Sequence, residues 1–160
     1  PAELYERGLR VATVPTRRNS AETVNPRIKS LNYLNNILAK IEANLSGYPE
    51  VIMLTAEGYV AECTGDNVFI VKRGTLLTPP KHMGILEGIT RNTVMDLARR
   101  RGLKVVEREM WPEELARASE VFLTGTAVEV QPVAAVDQHE YPIGPITQML
   151  QEDYAALVRA

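Results

Sequence analysis

The sequence predicts one α/β domain in which helices mix with several hairpins, rather than a simple alternating βαβ array. Three observations carry this. β-Branched runs are bounded by Pro and Gly, apolar residues recur at helical spacing in two places, and paired runs meet at short Gly-containing turns. At 160 residues the chain has room for one domain with a substantial core. Its 45% hydrophobic and 24% charged content is ordinary for a globular protein.

The elements follow in order. Leu9 to Val14 reads as a strand bounded by Pro15, and the polar stretch Thr16 to Pro26 as a loop. From Ser30 the pattern turns helical, with Leu31, Leu34, Ile37, Leu38 and Ile41 at spacings of three and four. Gly47 and Pro49 end that helix. Val51 to Leu54 and Tyr59 to Cys63 read as strands joined at Ala56-Glu57-Gly58. Val68 to Lys72 and Thr75 to Thr78 form a hairpin turning at Arg73-Gly74, closed by Pro79-Pro80. Thr90 can cap a helix running to Arg101, with Gly102 as its stop. Leu103 to Glu107 is a strand, and Pro112 opens a short helix to Arg117. Val121 to Leu123 and Val128 to Val136 are strands flanking Thr124-Gly125-Thr126. A last helix begins at Pro145, apolar at Ile146, Met149, Leu150, Tyr154 and Leu157.

Composition narrows the function classes. A net charge of −2 leaves no electrostatic footprint for nucleic acid or an anionic membrane. The one basic run, Arg99-Arg100-Arg101, sits where a helix should end, and the helix dipole favours it there. Cys63 is the only cysteine, and His82 and His139 read as surface loop residues, so no metal site is expected. Trp111 reads as a packing residue. No apolar run approaches a membrane span and no signal-peptide pattern stands at the N-terminus. The expectation is a soluble, cytoplasmic protein. Walker, Gly-x-Ser-x-Gly and Gly-x-Gly-x-x-Gly motifs are absent.

Four stretches carry chemistry: Arg-Ile-Lys29-Ser-Leu-Asn-Tyr33, Ala-Glu62-Cys-Thr-Gly-Asp-Asn, Glu-Gly88-Ile89-Thr90-Arg and Thr-Gly-Thr126-Ala127. Together they supply an amine, a carboxylate and two small-residue turns, the set needed to hold pyridoxal phosphate (PLP) by its aldehyde, ring nitrogen and phosphate. Lys29, held against an apolar wall, could be partly deprotonated and form a Schiff base. Tyr33, four residues on, would share its helix face and donate to the cofactor's ring oxygen, or serve as a core tyrosine. Glu62 before a turn-forming run can point into a site, keep a pyridine nitrogen protonated and so support an electron sink; a lone surface glutamate is the alternative. Gly88-Ile89-Thr90 opens a helix, whose free N–H groups suit a phosphate. Thr126 could give phosphate a second grip, or bind a substrate carboxylate.

These motifs, in this order, resemble the fold-type IV PLP enzymes: branched-chain aminotransferases, D-amino acid aminotransferases and aminodeoxychorismate lyases. The resemblance runs from about Tyr5 to the last helix. It implies the family's α/β pseudo-barrel large domain, with PLP as cofactor. It implies Lys29 as Schiff-base residue and proton shuttle, Glu62 on the pyridine nitrogen, and Leu86 packed on the cofactor ring. Ile89, Thr90 and Thr126 match phosphate-binding positions, and Thr126 and Ala127 match the loop that meets the substrate's α-carboxylate. Tyr33 and Thr-Gly-Thr-Ala followed by Glu129 and Pro132 look like the branched-chain subgroup, which transfers nitrogen to 2-oxoglutarate. Gln131 departs from the usual Thr. The Lys-Ser-Leu-Asn form at 29–32 is shared with D-amino acid enzymes.

Family members are about twice this length. The resemblance therefore implies that residues 1–160 form the large C-terminal domain alone. The N-terminal domain would supply an arginine to the phosphate and part of the substrate pocket. No arginine of this chain matches it, and Arg91 reads as structural. A homodimer is implied on the same ground. The alternatives are a D-amino acid or (R)-amine aminotransferase, an aminodeoxychorismate lyase, or a PLP-binding domain inactive without its partner domain.

Overall fold

The computed structural model describes residues 2–20, 22–25, 28, 29 and 31–160. A short helix α1 (Ala2–Arg7) leads into β1 (Leu9–Thr13). Then come α2 (Leu34–Leu45), β2 (Glu50–Leu54), β3 (Val60–Cys63), β4 (Asn67–Lys72) and β5 (Thr75–Thr78). A 3₁₀ turn at Lys81–Met83 precedes α3 (Ile89–Arg100), β6 (Val105–Glu107) and α4 (Pro112–Ala116). The chain closes with β7 (Glu120–Gly125), β8 (Glu129–Val136), β9 (His139–Glu140) and α5 (Pro145–Val158). The strands run β3-β2-β1-β8-β7-β4-β5-β6 across one mixed sheet, with β9 beside β8. β1 is parallel to both its neighbours and β5 to β6; the remaining pairs are antiparallel. The sheet curls on itself: the N–H of Val60, on the β3 edge, donates to the carbonyl of Met110, just past the β6 edge (2.8 Å). The expected α/β pseudo-barrel is what forms.

Strand periodicity decides which residues fill it. On β4, Val68 and Ile70 face the barrel interior with Val11, Ile52, Val60, Leu77, Leu123 and Val133. Phe69 and Val71 face the other way, with Phe122 and Val130, against Val94, Met95 and Ala98 of α3 and Leu150 of α5. β4 is therefore apolar at successive positions because both its faces are covered. Phe69 and Phe122 stack at 5.0 Å between ring centroids. The β4–β5 hairpin turns through Arg73 and Gly74, at φ 49° and 74°. Two successive left-handed residues give the turn a twist that matches the strands it joins.

Helix α2 departs from expectation. It begins at Leu34, and Ser30 lies outside the described residues. The apolar stripe that predicted it faces outward: Leu34, Ile37, Leu38 and Ile41 are 63%, 51%, 47% and 47% exposed. The buried face is Asn36, Ala39 and Ala43. The two alanines lie against Val51 and Met53 of β2, and Val14, just past β1, completes the cluster. Small side chains let the helix backbone approach the sheet closely, so size rather than hydrophobicity chose the face. Trp111 packs on Tyr59 at 4.2 Å but stays half-exposed. His82 and His139 are exposed as expected. No helix among the described residues is long and apolar enough to cross a membrane.

Phe69→Ala should cost about 3–5 kcal/mol, because it removes one ring of a fully buried stack. Denaturant unfolding measures this, and a loss below about 1 kcal/mol would contradict the packing.

Candidate active site

The four stretches that carry the sequence argument meet at one pocket. Lys29, Tyr33, Glu62, Leu86, Gly88, Ile89, Thr90 and Thr126 all line it. Ala127 is exposed, one residue beyond the lining position Thr126.

Lys29 precedes α2 and is exposed at the pocket. The packed apolar wall expected beside it is missing, because Leu31 and Leu34 face solvent at 103% and 63%. Tyr33 stands at the N-cap of α2, so it shares no helix face with Lys29. The two come together through the course of the chain before the helix.

Glu62 is no surface residue. It sits in β3 opposite Met53 and is 4% exposed. Its Oε1 pairs with Arg18 Nη2 at 2.5 Å. Its Oε2 accepts from Asn67 Nδ2 and from the Leu86 N–H, both at 3.1 Å. Burial pushes the Glu62 carboxyl up to about 7, against the opposing pull of Arg18. Burial also lifts Asp66, which lines the same pocket, to about 7, with the charge of Glu50 adding to the effect.

The start of α3 also lines the pocket. Thr90, expected as its cap, is a residue inside the first turn; Gly88 is the N-cap and offers no side chain. The first intrahelical bond runs from Asn92 N–H to the Gly88 carbonyl (3.1 Å), which leaves the earlier N–H groups without helical partners. The Thr90 hydroxyl lies 3.4 Å from Tyr154 Oη. Thr124 Oγ1, also lining the pocket, is buried with no hydrogen-bond partner among the described residues. Two glycines let these walls close up: a Cβ on Gly88 would collide with Asn67 Oδ1, and one on Gly125 with Asp66 Oδ1. Unpaired N–H groups at a helix start, beside hydroxyls, form an anion cradle. An amine and a buried carboxylate line the same pocket. This donor set fits a group bearing an aldehyde, a ring nitrogen and a phosphate.

Sequence reasoning missed Arg18, Asn67, Asp66 and Thr124. Asn67 and Asp66 read only as turn formers, and Arg18 as one of two adjacent loop arginines, so nothing local marked them. Arg91 is structural, as read: it is 1% exposed and donates to the Pro79 carbonyl (3.1 Å) and to Glu107 (2.5 Å). Among the described residues, no group of three or more His, Cys, Asp or Glu could hold a metal ion.

The fold is that of one enzyme class, and the chain belongs to it. Residues 1–136 match the family model for amino-transferase class IV. The relatives are more particular. A branched-chain-amino-acid aminotransferase of Pseudomonas aeruginosa is 41% identical over 160 residues, covering 98% of this chain and 52% of the relative. The crystal structure of a branched-chain aminotransferase from Thermoproteus uzoniensis, with norvaline, aligns at TM-score 0.94 and 45% identity, over 97% of this chain and 52% of the other. A Thermobaculum terrenum branched-chain amino acid aminotransferase in its PLP form aligns at 0.91 and 44%, over 94% and 51%. The chain spans about half the length of the curated relatives it matches.

The two raised carboxyls set a pH dependence. Glu62 and Asp66 titrate near 7 when folded, against 4.5 and 3.8 as ordinary groups. The folded chain thus holds protons that the unfolded chain has already released, and stability falls as pH rises through that window. Without ligand, the thermal midpoint should be higher at about pH 5 than at about pH 7.5, and Asp66→Asn should reduce the difference. Equal slopes in the two proteins would show that Asp66 has no part in it.

Proposed function

We propose that this chain is the cofactor-binding half of a PLP-dependent branched-chain aminotransferase, acting on a branched-chain amino acid and 2-oxoglutarate. One observation carries the reading: seven residues drawn from four separated stretches, with Leu86 just before the third, line a single pocket. Branched-chain aminotransferase relatives at 41–45% identity support the substrate class.

Bound here, PLP supplies an electron sink for negative charge at the substrate's α-carbon. Lys29 Nζ is the amine that would hold the aldehyde, and once displaced by substrate it is the base placed to move the α-proton. Glu62 would accept the ring N–H and favour its protonated form. Leu86 would pack on the ring and Tyr33 would donate to the ring oxygen. The N–H groups at Gly88, Ile89 and Thr90, with the Thr90 and Thr126 hydroxyls, would take the phosphate. Thr126 and Ala127 meet the substrate carboxylate. An N-terminal domain would complete the substrate pocket and add an arginine at the phosphate, in a cytoplasmic homodimer. Without that domain, binding without turnover is the consistent outcome.

Borohydride reduction in the presence of PLP, followed by peptide mapping, should label Lys29, and Lys29→Ala should abolish the label. Labelling of Lys40, Lys72, Lys81 or Lys104 instead would sink the reading. In a form carrying the N-terminal domain, Glu62→Gln should keep the lysine label yet lose about 100-fold or more in transamination. That form should use L-leucine and not D-alanine. Pyruvate release from aminodeoxychorismate would instead identify a lyase.

A further inference from the structure

Arg18 has no place in the mechanism above, yet it is 9% exposed and fully committed. Its backbone N–H donates to the Leu54 carbonyl at 2.8 Å, which fixes the loop to the end of β2. Its side chain is held from three directions. Nε donates to the Gly84 carbonyl (3.2 Å), Nη1 to Asn36 Oδ1 (2.5 Å), and Nη2 meets Glu62 Oε1 (2.5 Å). Asn36 is itself pinned, donating to the Thr64 carbonyl at 2.6 Å. It projects from the buried face of α2, where a polar side chain would otherwise be out of place. Arg18 does not line the pocket that holds Lys29 and Glu62; it approaches Glu62 from the adjoining crevice.

The geometry points to Arg18 as the positioning residue that favours the Glu62 anion and aims it at the pocket, with Asn36 as its strut. This rests on the reading of Glu62 as the partner of a protonated ring nitrogen. Burial raises the Glu62 carboxyl to about 7 with Arg18 in place, and without that cation it would rise further and stand neutral at pH 7. A neutral acid would compete as a donor and could not hold the ring in its protonated form. The other groups that face Glu62 are Asn67 and the Leu86 N–H, which bond to it, and Asp66 and Arg91, which act through space. Lys29 shares its pocket. Asp66 works against the anion, and of the two cations that favour it Arg18 has the larger effect and alone touches it. Arg91 is occupied with Glu107 and Pro79.

The test is a carboxyl titration of the ligand-free full chain by carbon NMR, with glutamate side chains labelled and the Glu62 signal assigned by its loss in Glu62→Gln. In Arg18→Met the Glu62 midpoint should rise by about 1–3 pH units. In Arg18→Lys, which keeps a charge but loses the fork, it should lie between wild type and Arg18→Met. In Asn36→Ala, which leaves the arginine unsupported, it should rise by a smaller amount. An unchanged midpoint in a folded Arg18→Met would overturn the assignment. If that variant does not fold, unchanged midpoints in both Arg18→Lys and Asn36→Ala would overturn it. PLP binding to the wild-type chain, followed by absorbance, separates the two ideas. Failure to bind would overturn the cofactor reading and the ring partner with it. Binding together with unmoved midpoints would overturn the role of Arg18 alone.

Discussion

A carboxylate taken out of water needs partners for both oxygens, and Glu62 finds them in separate parts of the chain. Arg18 comes from the loop after β1, Asn67 from the first residue of β4, and the Leu86 N–H from the approach to α3. Losing any one would leave a buried group that costs far more than its pairing returns. The clamp therefore fixes the relation between the loop after β1, the β3–β4 turn and the start of α3. The β3–β4 turn and the start of α3 both line the pocket, so the geometry of the site and the satisfaction of one side chain are closely tied.

The curled sheet makes this convergence possible. Its interior is filled by one alternating set of side chains and its outer face by α3 and α5. That leaves the strand ends and turns free to carry polar groups. Gly88 and Gly125 sit where Asn67 and Asp66 press closest, so both turns need the missing side chain for contact rather than for flexibility. The result is a frame around the first N–H groups of α3, which have no helical partners, and the hydroxyl of Thr124, which has no partner among the described residues.

Legibility in the sequence was uneven, and the reasons are physical. Strands and hairpins were readable because turn chemistry and β-branched runs are local signals. The α2 helix was readable as a helix, but its orientation was not. Periodicity shows that a stripe exists and cannot show which surface it meets. Here Ala39 and Ala43 won the contact by being small. Thr90 looked like a cap because threonine usually is one, whereas Gly88 two residues earlier took the position and left the helix start open. Lys29, Glu62 and the two threonine turns stood out because each lies in a motif. Arg18 and Asn67 did not, because their roles arise only from contact with Glu62.

By itself the sequence determined the kinds of groups available and their order along the chain: one amine, one carboxylate, and two turns suited to an anion. It also determined the mixed α/β character, since strand and turn signals are short-range. The tertiary structure decided that Glu62 is buried, that Arg18 and Asn36 stand behind it, and that Lys29 lies exposed at the opening. Such pairings span up to dozens of residues and depend on which strand edges meet. No local pattern encodes them, because the energy that selects them is the cost of a charge left alone inside the fold.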